Sequence, residues 1–169
     1  MIVLSLLWFW FGIYICKKNV CAHTDIKTEV APGLIGATGD DCNSTLIITD
    51  KDGGLDISSA ENFQFPKSSD ELVPPTSDMA GVISQLADHL ANNPTRFMQI
   101  TGLYLESEEN ETEMENLGKS RAINVRAYLL AKGIDPAQIT FAGKMDNEIC
   151  TSEDKIMKGV SVSFNNIPN

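Results

Sequence analysis

Between Glu106 and Glu115 the chain carries six carboxylates in ten residues, and Arg121 stands six positions further on. Such a run repels itself and belongs in solvent, as a loop and the first turn of a helix. It is not a calcium loop, because the glycine turn and the alternating Asp or Asn ligands are missing. An arginine on a helix that follows an acidic loop pairs with neighbours such as Glu109 or Glu115, which contributes little at a surface. The two histidines, His23 and His89, are far apart, and there is no CxxC or Cys/His cluster. A zinc site therefore has no ligand set. His89 follows Asp88 at the end of a helical pattern and reads as a surface or capping residue, and no Ser or Cys lies in a nucleophile elbow. These residues imply a protein that is not an enzyme and uses neither metal nor cofactor.

The elements that position these groups can be read from periodicity. Leu46-Ile47-Ile48 and Leu55-Asp56-Ile57 flank Asp50-Lys51-Asp52-Gly53-Gly54, the signature of a hairpin. Asn62-Phe63-Gln64-Phe65 alternates, with both phenylalanines on one face, and Pro66 ends it. After Pro74-Pro75, a cap at Thr76 or Ser77 opens a helix whose Met79, Val82, Ile83, Leu86, Ala87 and Leu90 form one apolar stripe. Asn92-Asn93-Pro94 stops it, and residues 97–104 read as a buried strand. The spacing of Leu117, Ala122, Val125 and Leu129 predicts a second helix from Met114 to Lys132, with Gly133 as its stop. Strands over 138–142 and 159–164 complete a hairpin-helix-strand-helix-strand-loop-strand order. That order gives an α+β two-layer sandwich. Arg126 falls on a neighbouring helix face as a surface charge.

The first sixteen residues, MIVLSLLWFWFGIYIC, lack charge, and Lys17 and Lys18 follow. Residues 1–22 read as a membrane anchor or signal segment, with an uncleaved anchor favoured because a basic n-region is missing and lysines crowd any cleavage site. A lipoprotein is the weakest fit, since bulky or polar residues precede Cys16 and Cys21. The segment 23–45, rich in Gly, Thr, Asp and Ala, is a linker, which leaves 46–169 for the folded domain. The lysines alone would keep that domain in the cytoplasm by the positive-inside rule. A net charge of −10, from 13 Lys+Arg against 23 Asp+Glu, excludes nucleic acid as a partner. Cys42 and Cys150 either join as a disulfide in an oxidising compartment or pack as two small apolar side chains.

Taken in order, Phe63-Gln64-Phe65, Asn93-Pro94, Ile100-Thr101-Gly102, Ser120-Arg121-Ala122, Arg126-Ala127-Tyr128-Leu129, Lys132-Gly133-Ile134 and Ala142-Gly143 resemble the OmpA C-terminal domain found in OmpA, Pal and MotB. The resemblance implies a β-α-β-α-β sandwich with the N-terminal hairpin added. It also implies a place in the bacterial cell envelope, with the soluble domain in the periplasm and the chain held in a membrane through residues 2–22. The implied ligand is the diaminopimelate stem peptide of peptidoglycan, contacted near Gly102, Leu105, Glu106 and Arg121. In the family an aspartate holds the ligand's ammonium and an arginine its carboxylate. Here the arginine stands as Arg121, while Leu105 replaces the acid. Half of the clamp is lost, so restoring an acid at 105 is expected to raise affinity, with Glu106 or Glu108 as acids that could swing in. The expected role is that of an envelope scaffold touching peptidoglycan weakly or not at all. The alternative is a protein-interaction module, the degenerate copy of a tandem protein, with envelope proteins as partners. The membrane segment carries no acid, against a proton-driven stator.

Overall fold

The computed structural model describes residues 42–166. The membrane segment 1–22, the linker as far as residue 41, and residues 167–169 lie outside the described residues. Among those described, no helix is long and apolar enough to cross a membrane.

Strands β1 (Leu46–Asp50) and β2 (Leu55–Ser59) form an antiparallel hairpin with Leu46 opposite Ser59 and Asp50 opposite Leu55. Leu46, Ile48 and Asp50 are buried, whereas Ile47 and Thr49 face outward. The turn closes because Gly54 takes a left-handed φ of 71° and the Gly53 N–H donates to Asp50 Oδ1 at 3.1 Å. A two-residue strand β3 (Phe65–Pro66) follows, with Phe63 and Phe65 both buried. Helix α1 (Ser77–Asn92) starts where Thr76 Oγ1 accepts the Met79 N–H, and it buries the stripe Met79, Val82, Ile83, Leu86 and Leu90.

Strand β4 (Arg96–Tyr104) is the centre of the main sheet. Its neighbours are β5 (Ile139–Met145), which runs parallel, and β8 (Val160–Asn166), which runs antiparallel. The β1–β2 hairpin lies beside β8. Helix α2 (Leu117–Ala131) covers β4 and β5 and returns the chain to the parallel strand. It begins three residues later than the apolar spacing predicts. Asn116 Oδ1 accepts the Lys119 N–H at 2.8 Å, and Asn110 and Thr112 fold residues 110–114 into side-chain-bonded turns. Both compete with helix for the same backbone donors.

Between β5 and β8 the chain adds β6 (Thr151–Ser152) and β7 (Lys155–Ile156), and β7 pairs with β3. Cys42 and Cys150 are joined as a disulfide with Cα atoms 5.1 Å apart, tying the start of the domain to this lobe. Leu103, Ile149 and Ile156 form a small apolar cluster beneath the lobe, with Leu105 packed against it.

Candidate functional site

The site is built by the descent of α2 onto β4. Gly118 and Gly102 face each other, and a Cβ on either would enter the other's backbone carbonyl. A Cβ on Gly118 would also come within 2.8 Å of the Tyr104 ring. Only a pair of glycines allows helix and strand this close, and the close approach carries the next residue of that helix face, Arg121, into the interior. Arg121 is 0% exposed and is the largest fully buried side chain among the described residues.

A guanidinium has five N–H donors, and here each has an acceptor inside the chain. Nε donates to Ser69 O at 2.9 Å. Nη1 donates to Leu103 O at 2.9 Å and to Glu108 Oε2 at 3.0 Å. Nη2 donates to Pro66 O at 3.3 Å and to Glu108 Oε1 at 2.6 Å. The cation also lies 5.1 Å from the centroid of the Phe65 ring.

The Glu108 carboxylate is saturated in the same way. Besides the fork to Arg121, Oε1 accepts the Ser68 N–H at 2.8 Å and Oε2 the Leu105 N–H at 2.9 Å. Ser68 holds a φ of 55° to present that N–H, a conformation that costs a non-glycine residue about 1–2 kcal/mol. Burial raises the Glu108 pKa, but the bonds from Arg121, Leu105 and Ser68 outweigh it and leave the pKa below its ordinary value. Neighbouring groups reinforce the loop: Ser120 Oγ donates to Asp70, Asn124 Nδ2 donates to Asp70 O at 2.6 Å, and Glu109 N–H donates to Ser68 Oγ at 3.1 Å.

This geometry corrects several sequence expectations. Arg121 is not a surface residue paired with Glu109 or Glu115. Its partner is Glu108, while Glu115 pairs with Lys119 at 3.4 Å. The acidic run is solvated except at Glu108, whose side chain is wholly buried, because only that carboxylate reaches the cation. Gly102 lies beneath α2, where it sets helix-strand distance and offers no contact surface. Leu105 is half-buried and gives its backbone N–H to Glu108, and Glu106 is exposed with its N–H on Asn147 Oδ1 at 2.9 Å. Restoring an acid at position 105 alone would therefore face an arginine with no donor to spare. Arg126 is half-buried rather than a free surface charge: Nη2 donates to Pro136 O at 3.2 Å, and its guanidinium lies 5.9 Å from the Phe141 centroid.

A second buried charge was not legible in the sequence. Asp50 points inward from β1, and its carboxylate takes Arg96 Nε at 2.9 Å, Arg96 Nη2, and His89 Nε2 at 2.9 Å. Burial raises the Asp50 pKa, but the bonds from Arg96, His89 and the Gly53 N–H prevail and bring it to about 2. His89 is thus half-buried, with Asn93 Nδ2 3.4 Å from Nδ1 on its far side. The cluster pins the hairpin to α1 and the start of β4. Among the described residues no group of His, Cys, Asp and Glu could hold a metal ion.

The fold is a two-layer α+β domain, and its buried arginine forms a closed polar hub. The model of the OmpA family matches residues 64–158, more than half of the chain, and the chain belongs to that family. A comparison with curated proteins gives no match. Among solved structures, the chain is similar to the peptidoglycan-associated lipoprotein from Burkholderia pseudomallei, with 20% identity, a TM-score of 0.47, and coverage of 62% of this chain and 90% of that one. It is also similar to the C-terminal domain of Helicobacter pylori MotB, with 21% identity, a TM-score of 0.44, and coverage of 61% and 82%.

Proposed function

We propose that this protein is a non-catalytic, structural component of the bacterial cell envelope whose domain has exchanged ligand capture for internal rigidity. It contacts peptidoglycan weakly or not at all through the position the family uses. The observation that carries the reading is the saturation of Arg121: all five donors are spent within the chain, and Glu108 supplies the carboxylate that a stem peptide would otherwise bring. A ligand carboxylate must displace a buried, bidentate, four-times-bonded glutamate, and a pair of this kind costs about 3–5 kcal/mol to break. Leu105 provides nothing for an ammonium in return. Membership of the OmpA family and a cystine between Cys42 and Cys150 support a domain held outside the cytoplasm, where disulfides persist. Residues 1–22 supply the tether in this reading.

Titration of the full chain in detergent with a diaminopimelate-containing muropeptide tests the proposal. No saturable heat is expected below about 1 mM ligand, the range in which a weak specific site would declare itself. Saturable binding that Arg121→Lys removes would overturn it. The protein-interaction alternative gains its support from the same saturation, since a closed hub leaves surfaces as the means of contact.

A further inference from the structure

Two stretches of the chain repeat one pattern, in which an acid stands two residues before an asparagine and a threonine two residues after it: Asp41-Cys42-Asn43-Ser44-Thr45 and Glu108-Glu109-Asn110-Glu111-Thr112. Asn-x-Thr without an intervening proline is the acceptor motif for N-linked glycans. The threonine hydroxyl gives a transferase a hydrogen bond to hold, and the preceding acid gives it a charge. The fold closes one of these motifs and leaves the other open. Asn110 Nδ2 donates to Met114 O at 3.1 Å, and its Oδ1 accepts the Thr112 N–H at 3.2 Å and the Thr112 hydroxyl at 2.7 Å. That hydroxyl also accepts the Met114 N–H at 3.2 Å, and Glu108 is buried against Arg121. Nucleophile, hydroxyl and acid of this motif are all engaged inside the domain.

Asn43 is exposed, and the segment that carries it is pinned at both ends. Cys42 is held by its disulfide to Cys150, and Leu46, 1% exposed, starts β1. Between them Ser44 Oγ donates to Ala60 O at 3.4 Å, and Asn43 Oδ1 accepts the Thr45 N–H at 3.0 Å. Among the described residues nothing bonds to Asn43 Nδ2 or to the Thr45 hydroxyl. We propose that Asn43, and not Asn110, is the acceptor of an N-linked oligosaccharide, an inference that rests on the placement of the domain outside the cytoplasm. The donor class is an oligosaccharide carried on a lipid pyrophosphate. Asn43 Nδ2 bonds to the anomeric carbon, the bond from that carbon to the pyrophosphate oxygen breaks, lipid pyrophosphate leaves with the electron pair, and one amide proton passes to a base of the transferase. An amide nitrogen shares its lone pair with the carbonyl, so it must twist before it can attack. A free Nδ2 permits that twist, whereas the bond to Met114 O resists it at Asn110.

Mass spectrometry of the full chain, purified from its own bacterium and digested with trypsin without reduction, tests the assignment. Trypsin separates the two motifs: residues 28–51 carry Asn43, residues 97–119 carry Asn110, and residues 145–155 carry Cys150. The expected result is 28–51 disulfide-linked to 145–155 with the mass of an oligosaccharide on Asn43, and 97–119 bare. Thr45→Val, which keeps the shape and removes the hydroxyl, should abolish the added mass with the linked pair still recovered, and Thr45→Ser should retain it. A bare Asn43 in the linked pair would overturn the glycan and leave the compartment standing. A bare Asn43 beside free thiols would overturn both. A glycan on 97–119, or one on 28–51 that survives Thr45→Val, would also overturn the assignment.

Discussion

Replacing Glu108 with alanine isolates the central physical claim, that a saturated ion pair with Glu108 neutralises the buried Arg121. The substitution removes two charge-assisted bonds to Arg121 and the acceptors for the Ser68 and Leu105 N–H groups. It leaves a guanidinium with 0% exposure and no counter-charge. Removing one partner of such a pair costs about 3–5 kcal/mol, against a total stability of roughly 5–15 kcal/mol for a domain. At about 3–6 °C per kcal/mol for a chain of this size, the thermal midpoint should fall by roughly 10–30 °C. The vacated space has the shape and donors for a small carboxylate. Acetate or formate should therefore restore part of the loss, about 2.7 kcal/mol when present at a hundred times its dissociation constant. Sodium chloride at equal ionic strength should not. Differential scanning calorimetry of the variant in acetate and chloride series is the assay. A midpoint within a degree or two of wild type, or equal recovery in both salts, would refute the argument that Glu108 neutralises a buried cation.

The Leu105→Asp variant alone should gain no muropeptide affinity, whereas Leu105→Asp with Glu108→Ala should gain about tenfold or more, since both charges of a zwitterion are then met; titration calorimetry compares them. Asp50 and Glu108 have lowered pKa values in the fold, so their contributions are complete above the ordinary values of 3.8 and 4.5 and are lost as pH falls below them. Urea midpoints should therefore drop between about pH 5 and pH 2, and Asp50→Asn should remove roughly 2 kcal/mol at neutral pH and flatten that slope. Gly118→Ala should destabilise by about 1–3 kcal/mol or more despite alanine's helix propensity, because its Cβ enters the Gly102 carbonyl, while Gly81→Ala, with open space around it, should stabilise by up to about 1 kcal/mol; chemical denaturation gives both signs. Reducing the Cys42–Cys150 bond, which closes a separation of 108 residues, should cost about 2–4 kcal/mol, read as a lower thermal midpoint after reduction and thiol capping.

The sequence by itself determined the elements whose signal is local. The stripe from Met79 to Leu90, the Asp-Gly turn between β1 and β2, and the apolar strand ending at Tyr104 each repeat within a few residues, so period and punctuation suffice. That Arg121 matters and that position 105 lacks an acid came from the resemblance to the OmpA family, since the residues alone read Arg121 as a surface charge. The tertiary structure decided which glutamate answers Arg121. Six carboxylates compete, and the choice depends on a loop that brings Ser68, Leu105 and Glu108 around one buried cation, a contact between residues 13 and more than 50 apart in sequence. It likewise decided that Asp50 is an interior charge. In the sequence Asp50 is an ordinary turn residue; inside the fold, the chain brings Arg96 and His89 from 46 and 39 residues away to compensate it. Two-residue strands such as β3, β6 and β7 carry no period at all, and only their pairing defines them. Local sequence sets local geometry, whereas burial of a charge is decided by every group that can reach it, and that set exists only once the chain has folded.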